Sequence, residues 1–131
     1  MQNFMNTATT QGIEISVESF HLEAQSLPEQ DHYVFAYRIR IKNQSDWTVQ
    51  LISRKWIITD STGEVKHVQG EGVVGEQPIL KPGEEYEYMS GSQLKSPLGT
   101  MEGSYQMQTE RGKMLDVKIP CFALEVPGVV N

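Results

Sequence analysis

The stretch Gly70-Glu71-Gly72-Val73-Val74-Gly75-Glu76-Gln77-Pro78-Ile79-Leu80-Lys81-Pro82-Gly83 carries two opposed readings of the fold. Its opening hexapeptide spells G-x-G-x-x-G. In dinucleotide-binding folds that pattern follows a buried strand and opens a helix, whose N–H groups and positive dipole end hold a pyrophosphate. The residues that follow deny the helix, because Pro78, Pro82 and Gly83 stop it before an amphipathic face can form. The glycines therefore belong to a loop between strands, and the α/β reading falls.

Outward from this loop the chain alternates apolar and polar residues with the period of half-buried strands. Upstream, Ile13, Ile15 and Val17 alternate with Glu14, Ser16 and Glu18. Phe20 and Leu22 resume the pattern after a phase slip near Ser19, which reads as a bulge. Tyr33, Phe35, Tyr37, Ile39 and Ile41 form one face of the next strand, with Val34, Ala36, Arg38, Arg40 and Lys42 on the other. Residues 47–59 and a short run over 64–69 follow, separated by the turn Asp60-Ser61-Thr62-Gly63. Downstream, residues 85–89, 101–109 and 114–126 complete seven strands with no helix-period segment. Seven strands at this spacing predict an all-β fold, an antiparallel β-sandwich of the immunoglobulin or fibronectin type III-like kind, with a closed barrel as the alternative. Trp56 in the third strand, and Leu80 before the Pro82-Gly83 turn and Tyr86, favour the sandwich.

At 131 residues, 38% hydrophobic and 21% charged, the chain is one domain. Residues 12–131 are expected to form it, with residues 1–11 a flexible polar tail. The net charge is -6, and acidic residues exceed basic ones in both halves. With no clustered basic footprint, duplex nucleic acid is not an expected partner. No apolar run is long enough to span a membrane as a helix. No secretion signal stands at the N-terminus, and the single cysteine, Cys121, cannot form an intrachain disulfide, so the expected compartment is the cytoplasm.

Two groups of residues are candidates for binding. Gly70, Glu71, Gly72, Val73, Val74 and Gly75 either shape a tight crossover through positive φ and close backbone approach, or present N–H groups to a phosphate or carboxylate. Glu71 repels an anion there unless it points away or holds a metal. Arg38, Arg40 and Lys42 project together, as a solvated outer face or as a surface for an anionic partner. Arg54 shares the inward parity of Ile52, Trp56 and Ile58, so it needs a carboxylate or carbonyl oxygens, or a bulge; Glu71 and Glu84 are its candidate partners. It ties the glycine loop to the sheet, or binds an anion beside it. Catalytic patterns are missing: His21, His32 and His67 lack metal-ligand spacing, His21-x-Glu23 is an ordinary surface pair, and nothing near Cys121 in sequence lowers a thiol pKa. No catalytic residues, metal ligands or cofactor are expected.

Six segments together resemble the ApaG family: residues 33–37, 54–59, 68–78, 82–91, 96–107 and 119–122. The resemblance covers roughly residues 13–127, with Ser96 standing where the family commonly has threonine. It implies a fibronectin type III-like sandwich and associates the chain with cobalt resistance and magnesium efflux. The bacterial gene of the family lies beside genes for an RNA methyltransferase and a diadenosine tetraphosphate hydrolase, but no residues here carry hydrolysis. Similar domains in eukaryotic F-box proteins and a polymerase-delta-interacting protein imply a protein-interaction module. The expected function is thus a non-enzymatic binding module for a protein partner. The alternative is a phosphorylated nucleotide, pyrophosphate or divalent cation at the glycine loop.

Overall fold

The computed structural model describes residues 6–128. The elements are β1 (Asn6–Thr10), β2 (Ile13–His21), β3 (Tyr33–Asn43), β4 (Val49–Asp60), β5 (Val65–Glu71), β6 (Ile79–Leu80), β7 (Glu85–Leu94), β8 (Leu98–Thr109) and β9 (Met114–Glu125). Two single 3-10 turns, Glu23–Gln25 and Pro28–Gln30, join β2 to β3. One sheet has the order β1-β2-β3-β7 and the other β5-β4-β8-β9, with β6 beside β4, and every pairing is antiparallel. The sequence expectation of an all-β sandwich holds. Among the described residues no helix is long and apolar enough to cross a membrane.

The core lies between the sheets. Ile13, Ile15 and Val17 from β2 and Phe35, Tyr37, Ile39 and Ile41 from β3 meet Trp56, Tyr105, Val117, Ile119 and Phe122 of the second sheet. Trp56 packs edge-on against Tyr37 and Phe122, with ring centroids 5.4 and 5.9 Å apart. Such aromatic contacts add to the apolar area that each ring removes from water.

Four expectations are corrected. Asn6–Thr10 is no tail: Thr7, Ala8 and Thr9 pair with Ser16, Ile15 and Glu14, because a polar strand can still satisfy its backbone at a sheet edge. Residues 1–5 lie outside the described residues. The bulge forecast near Ser19 is absent, since β2 pairs with β3 in continuous register from Ile13 to His21. Phe20 breaks the apolar alternation simply by standing on the outer face, 39% exposed. The strand count rises from seven to nine among the described residues with β1 and β6, and β5 runs to Glu71, taking in the first of the glycines.

Real register shifts occur elsewhere. One lies between Leu51 and Ser53 on β4, the other between Met101 and Gly103 on β8. The first switches inward parity from Val49 and Leu51 to Trp56, and it thereby aims Arg54 toward the inter-sheet side.

Candidate functional site: the glycine loop and Arg54

Arg54 on β4 stands opposite Gly70 on β5. With no side chain at Gly70, the guanidinium lies flat across the strand: a Cβ there would sit 2.8–2.9 Å from Nη2, Cζ and Nη1. Nη1 donates to the carbonyl oxygens of Glu71, at 3.0 Å, and Gly72, at 2.8 Å. Carbonyls and a neighbouring bulge, two of the solutions forecast for an inward arginine, are both used; the carboxylates of Glu71 and Glu84 are not its partners. Glu84 instead accepts the Lys81 N–H at 2.8 Å and closes the turn before β7.

Beyond Gly72 the chain makes a two-residue hairpin. Val73 and Glu76 exchange both backbone bonds, at 2.8 and 2.9 Å, around Val74 at φ 43° and Gly75 at φ 83°. Positive φ at both central positions is the type I′ turn, whose twist suits the strands on either side. A β-branched residue in that region is strained, so Val74 is held there by its surroundings. Gly72 is fixed more tightly: at φ 61°, a Cβ would stand 2.2 Å from the Glu76 carbonyl oxygen. Val73 plugs the core while Val74 is 55% exposed. Gln77 Nε2 donates to the Ile52 carbonyl at 2.9 Å, and the Tyr86 hydroxyl reaches Glu76 Oε2 from the opposite sheet at 3.2 Å.

This geometry defines what the loop can offer a ligand. The N–H groups of Gly72, Val73 and Glu76 are bonded within the chain, leaving those of Val74 and Gly75 at the tip. Of the candidate amides, those of Gly72 and Val73 are thus turned to carbonyls of the chain itself rather than aimed together at an anion. Arg54 nevertheless has no carboxylate within ion-pair distance among the described residues.

Arg38 and Arg40 occupy the outer face of the smaller sheet, away from this loop. Arg38 Nη2 lies 2.6 Å from Glu18 and Nη1 3.8 Å from Glu87, while Arg40 Nη2 lies 3.9 Å from Glu14. The carboxylates balance the row, and it does not join Arg54 in one site. His21 packs on Phe35 and hydrogen-bonds the Ser26 hydroxyl at 3.3 Å, so it belongs to a structural contact. Cys121 is exposed, and its thiol pKa is raised by burial of the sulfur and by Glu102 beside it.

Three polar centres escape sequence reasoning because their partners are remote in the chain. Asn43, fully buried, donates to the carbonyls of Trp47 and Leu80 at 2.6 and 2.9 Å and accepts from Ser45, which fixes the crossover leaving the loop. The Asp60 carboxylate is pushed up by burial, but hydrogen bonds from Ser96, the Lys95 N–H and Thr62 outweigh this and hold it below the usual range. Beneath Arg54, the hydroxyls of Tyr88 and Tyr105 bond to one another. Burial drives both phenol pKa values well above their ordinary range.

A family model for the ApaG domain matches residues 23–109, from the β2–β3 connection through β8. The chain belongs to the ApaG domain family. Protein ApaG of Rhizobium leguminosarum bv. trifolii is 54% identical over 127 residues, covering 97% of this chain and 98% of its relative. Protein ApaG of Paramagnetospirillum magneticum is 50% identical over 123 residues, or 94% and 95% of the two chains. The crystal structure of the putative ApaA protein from Bordetella pertussis superposes with a TM-score of 0.86 at 46% identity, covering 88% of this chain and 94% of that one. The C-terminal domain of wzt has the same kind of fold, with a TM-score of 0.53 at 11% identity, covering 92% of this chain and 77% of that one. That likeness concerns the fold alone. Within the ApaG family match lie all three loop glycines and Arg54, so the crossover they build is part of the matched domain.

Proposed function

We propose that this ApaG domain is a non-enzymatic binding module that engages another protein through the glycine loop and the sheet edge continuous with it. The observation that carries this reading is the loop's surface. Its backbone at Gly72, Val73 and Glu76 is held by internal hydrogen bonds, while Val65, Val68, Val74 and Ile79, four of the nine exposed large hydrophobic residues among the described residues, lie on β5, the hairpin and β6. Exposed apolar side chains concentrated on one edge suit a protein surface better than a phosphate. On this reading the family's association with cobalt resistance and magnesium efflux acts through a partner. In support, no group of three or more His, Cys, Asp or Glu among the described residues could hold a metal ion.

The test compares proteins retained from bacterial extract by the immobilised chain and by a Val74→Asp, Ile79→Asp variant whose fold is checked by circular dichroism. Loss of a specific protein from the variant is expected. Identical retention by both chains would refute the loop surface, and calorimetric heat on adding pyrophosphate or Co²⁺ would favour the small-ligand alternative.

A further inference from the structure

Among the described residues β5 is the outermost strand of its sheet, pairing with β4 on one side only. The Asp60 N–H donates to the Glu64 carbonyl and the Gly72 N–H to the Ile52 carbonyl, so the even-numbered residues of β5 turn their backbone groups toward β4. In an antiparallel ladder the alternate residues then turn their N–H and C=O outward. Val65, His67 and Gln69 thus present both groups to the open side, and the outward carbonyl of Glu71 is met by Arg54. A row of this kind is a template for another strand unless charge, proline or a covering element blocks it. Here Lys66 is the single charge on the inward-facing parity of β5, and no proline interrupts the strand.

The side chains beside the row define what would fit. On the inward-facing parity, an added strand passes first the guanidinium of Arg54 lying over Gly70, then Val68, 38% exposed, then Lys66, whose side chain is 53% exposed. Two cations therefore flank one apolar residue at two-residue intervals. Among the described residues, Lys66 has only the Glu64 carboxylate within ion-pair distance, at 3.9 Å, and Arg54 has none. Resting on the binding-module reading above, we propose that the free edge of β5 accepts an extended segment of a partner protein with the pattern acid–x–apolar–x–acid. The acids face Arg54 and Lys66 and the apolar residue covers Val68. The pattern reads the same in both chain directions, so it suits parallel or antiparallel addition. Main-chain bonds supply attachment and the alternate side chains supply selection.

A second copy of this chain is the poorer occupant. Self-pairing in the register that overlaps all of β5 is centred on Val68 and sets Lys66 opposite Gly70 of the other copy. The Lys66 ammonium then approaches the other copy's Arg54, and two-fold symmetry repeats the repulsion.

The experiment titrates the ¹⁵N-labelled full chain with a capped nonapeptide having Asp-Thr-Val-Thr-Asp at its centre. Shifted and exchange-protected amides at Val65, His67 and Gln69 are expected. A control peptide with lysine at both acid positions should bind at least about 10-fold more weakly, and Lys66→Glu should weaken the acidic peptide about 5-fold. Gln69→Pro removes an outward N–H without touching a bond to β4, and it should abolish the amide response while the fold survives. Shifts mapping to another surface, or no shifts with the acidic peptide at millimolar concentration, overturn the inference. So does a concentration-dependent dimer that Gln69→Pro dissolves, which would make a second copy the occupant. Proteins retained from extract equally by the unaltered chain and Gln69→Pro would overturn the edge and leave the module reading standing. Retention of nothing by either chain would overturn the module reading itself.

Discussion

Arg54 and Gly70 should behave as one unit, and a double-mutant cycle measures how strongly. Arg54→Met keeps the side-chain length but loses both bonds to the Glu71 and Gly72 carbonyls. Hydrogen bonds from a charged donor are worth about 1.5–3 kcal/mol when buried. These are partly exposed, so about 1 kcal/mol each is appropriate and the variant should lose about 2 kcal/mol. Gly70→Ala is not excluded by its own backbone, because Gly70 is not among the positive-φ residues. Its methyl would instead meet the guanidinium at 2.8–2.9 Å and push it off the carbonyls. The same bonds are lost, offset by the ~0.5–1 kcal/mol that alanine gains over glycine in a strand, for a net loss of about 1–1.5 kcal/mol. With Arg54→Met already present, Gly70→Ala has no guanidinium to displace and should be neutral or slightly stabilising. The coupling is then about 1.5 kcal/mol, read from urea unfolding midpoints at unchanged m-value. If the two losses simply add to about 3–3.5 kcal/mol in the double variant, the stacked arginine is not the reason for the glycine, and the geometry given for the site is wrong.

Three further outcomes follow from other parts of the molecule. Val74→Asn should raise stability by about 0.5–1 kcal/mol in thermal melts, because asparagine tolerates the left-handed turn position that valine occupies under strain; a loss would show that the Val74 side chain is itself stabilising. Tyr88→Phe should cost about 1–3 kcal/mol by leaving the buried Tyr105 hydroxyl alone, whereas changing both tyrosines to phenylalanine should recover most of it; equal losses would refute the pairing. For Asp60 the folded carboxyl pKa is depressed, so its stabilisation is present above the unfolded value of about 3.9 and disappears as pH falls through the lower folded value; acid titration should show a shallower fall for Asp60→Asn, and an unchanged profile would sink the assignment.

The strand pattern was legible because it is local. Tyr33 to Ile41 alternate in the sequence, and the same alternation separates buried Phe35, Tyr37, Ile39 and Ile41 from the outer arginines. Phe20 misled because an outer-face phenylalanine and a bulged strand give the same local break in period. The real bulge at Leu51–Ser53 lay in a run of mixed residues, with no local signature beyond the inward parity it gives Arg54 and Trp56. β1 was missed for a related reason: its polar residues are ordered by pairing with β2, and that pairing is not written in β1 itself.

By itself, the sequence determined that G-x-G-x-x-G could not work as a nucleotide fingerprint, since prolines in the following residues forbid the helix whose dipole and amides the fingerprint requires. It also determined an all-β fold with one face of each strand turned inward, because alternation of period two specifies which side chains leave water together, and Trp56 with the Pro82-Gly83 turn favoured the sandwich over a barrel. Only the tertiary structure decided what each glycine is for: Gly70 makes room for a guanidinium from the neighbouring strand, Gly72 for the carbonyl of Glu76, and Gly75 for a type I′ turn. It alone decided that β5 ends its sheet with backbone groups outward. Close approach and edge position are relations between segments distant in the chain, set by register and by which strands are left without a neighbour, and no local pattern encodes them.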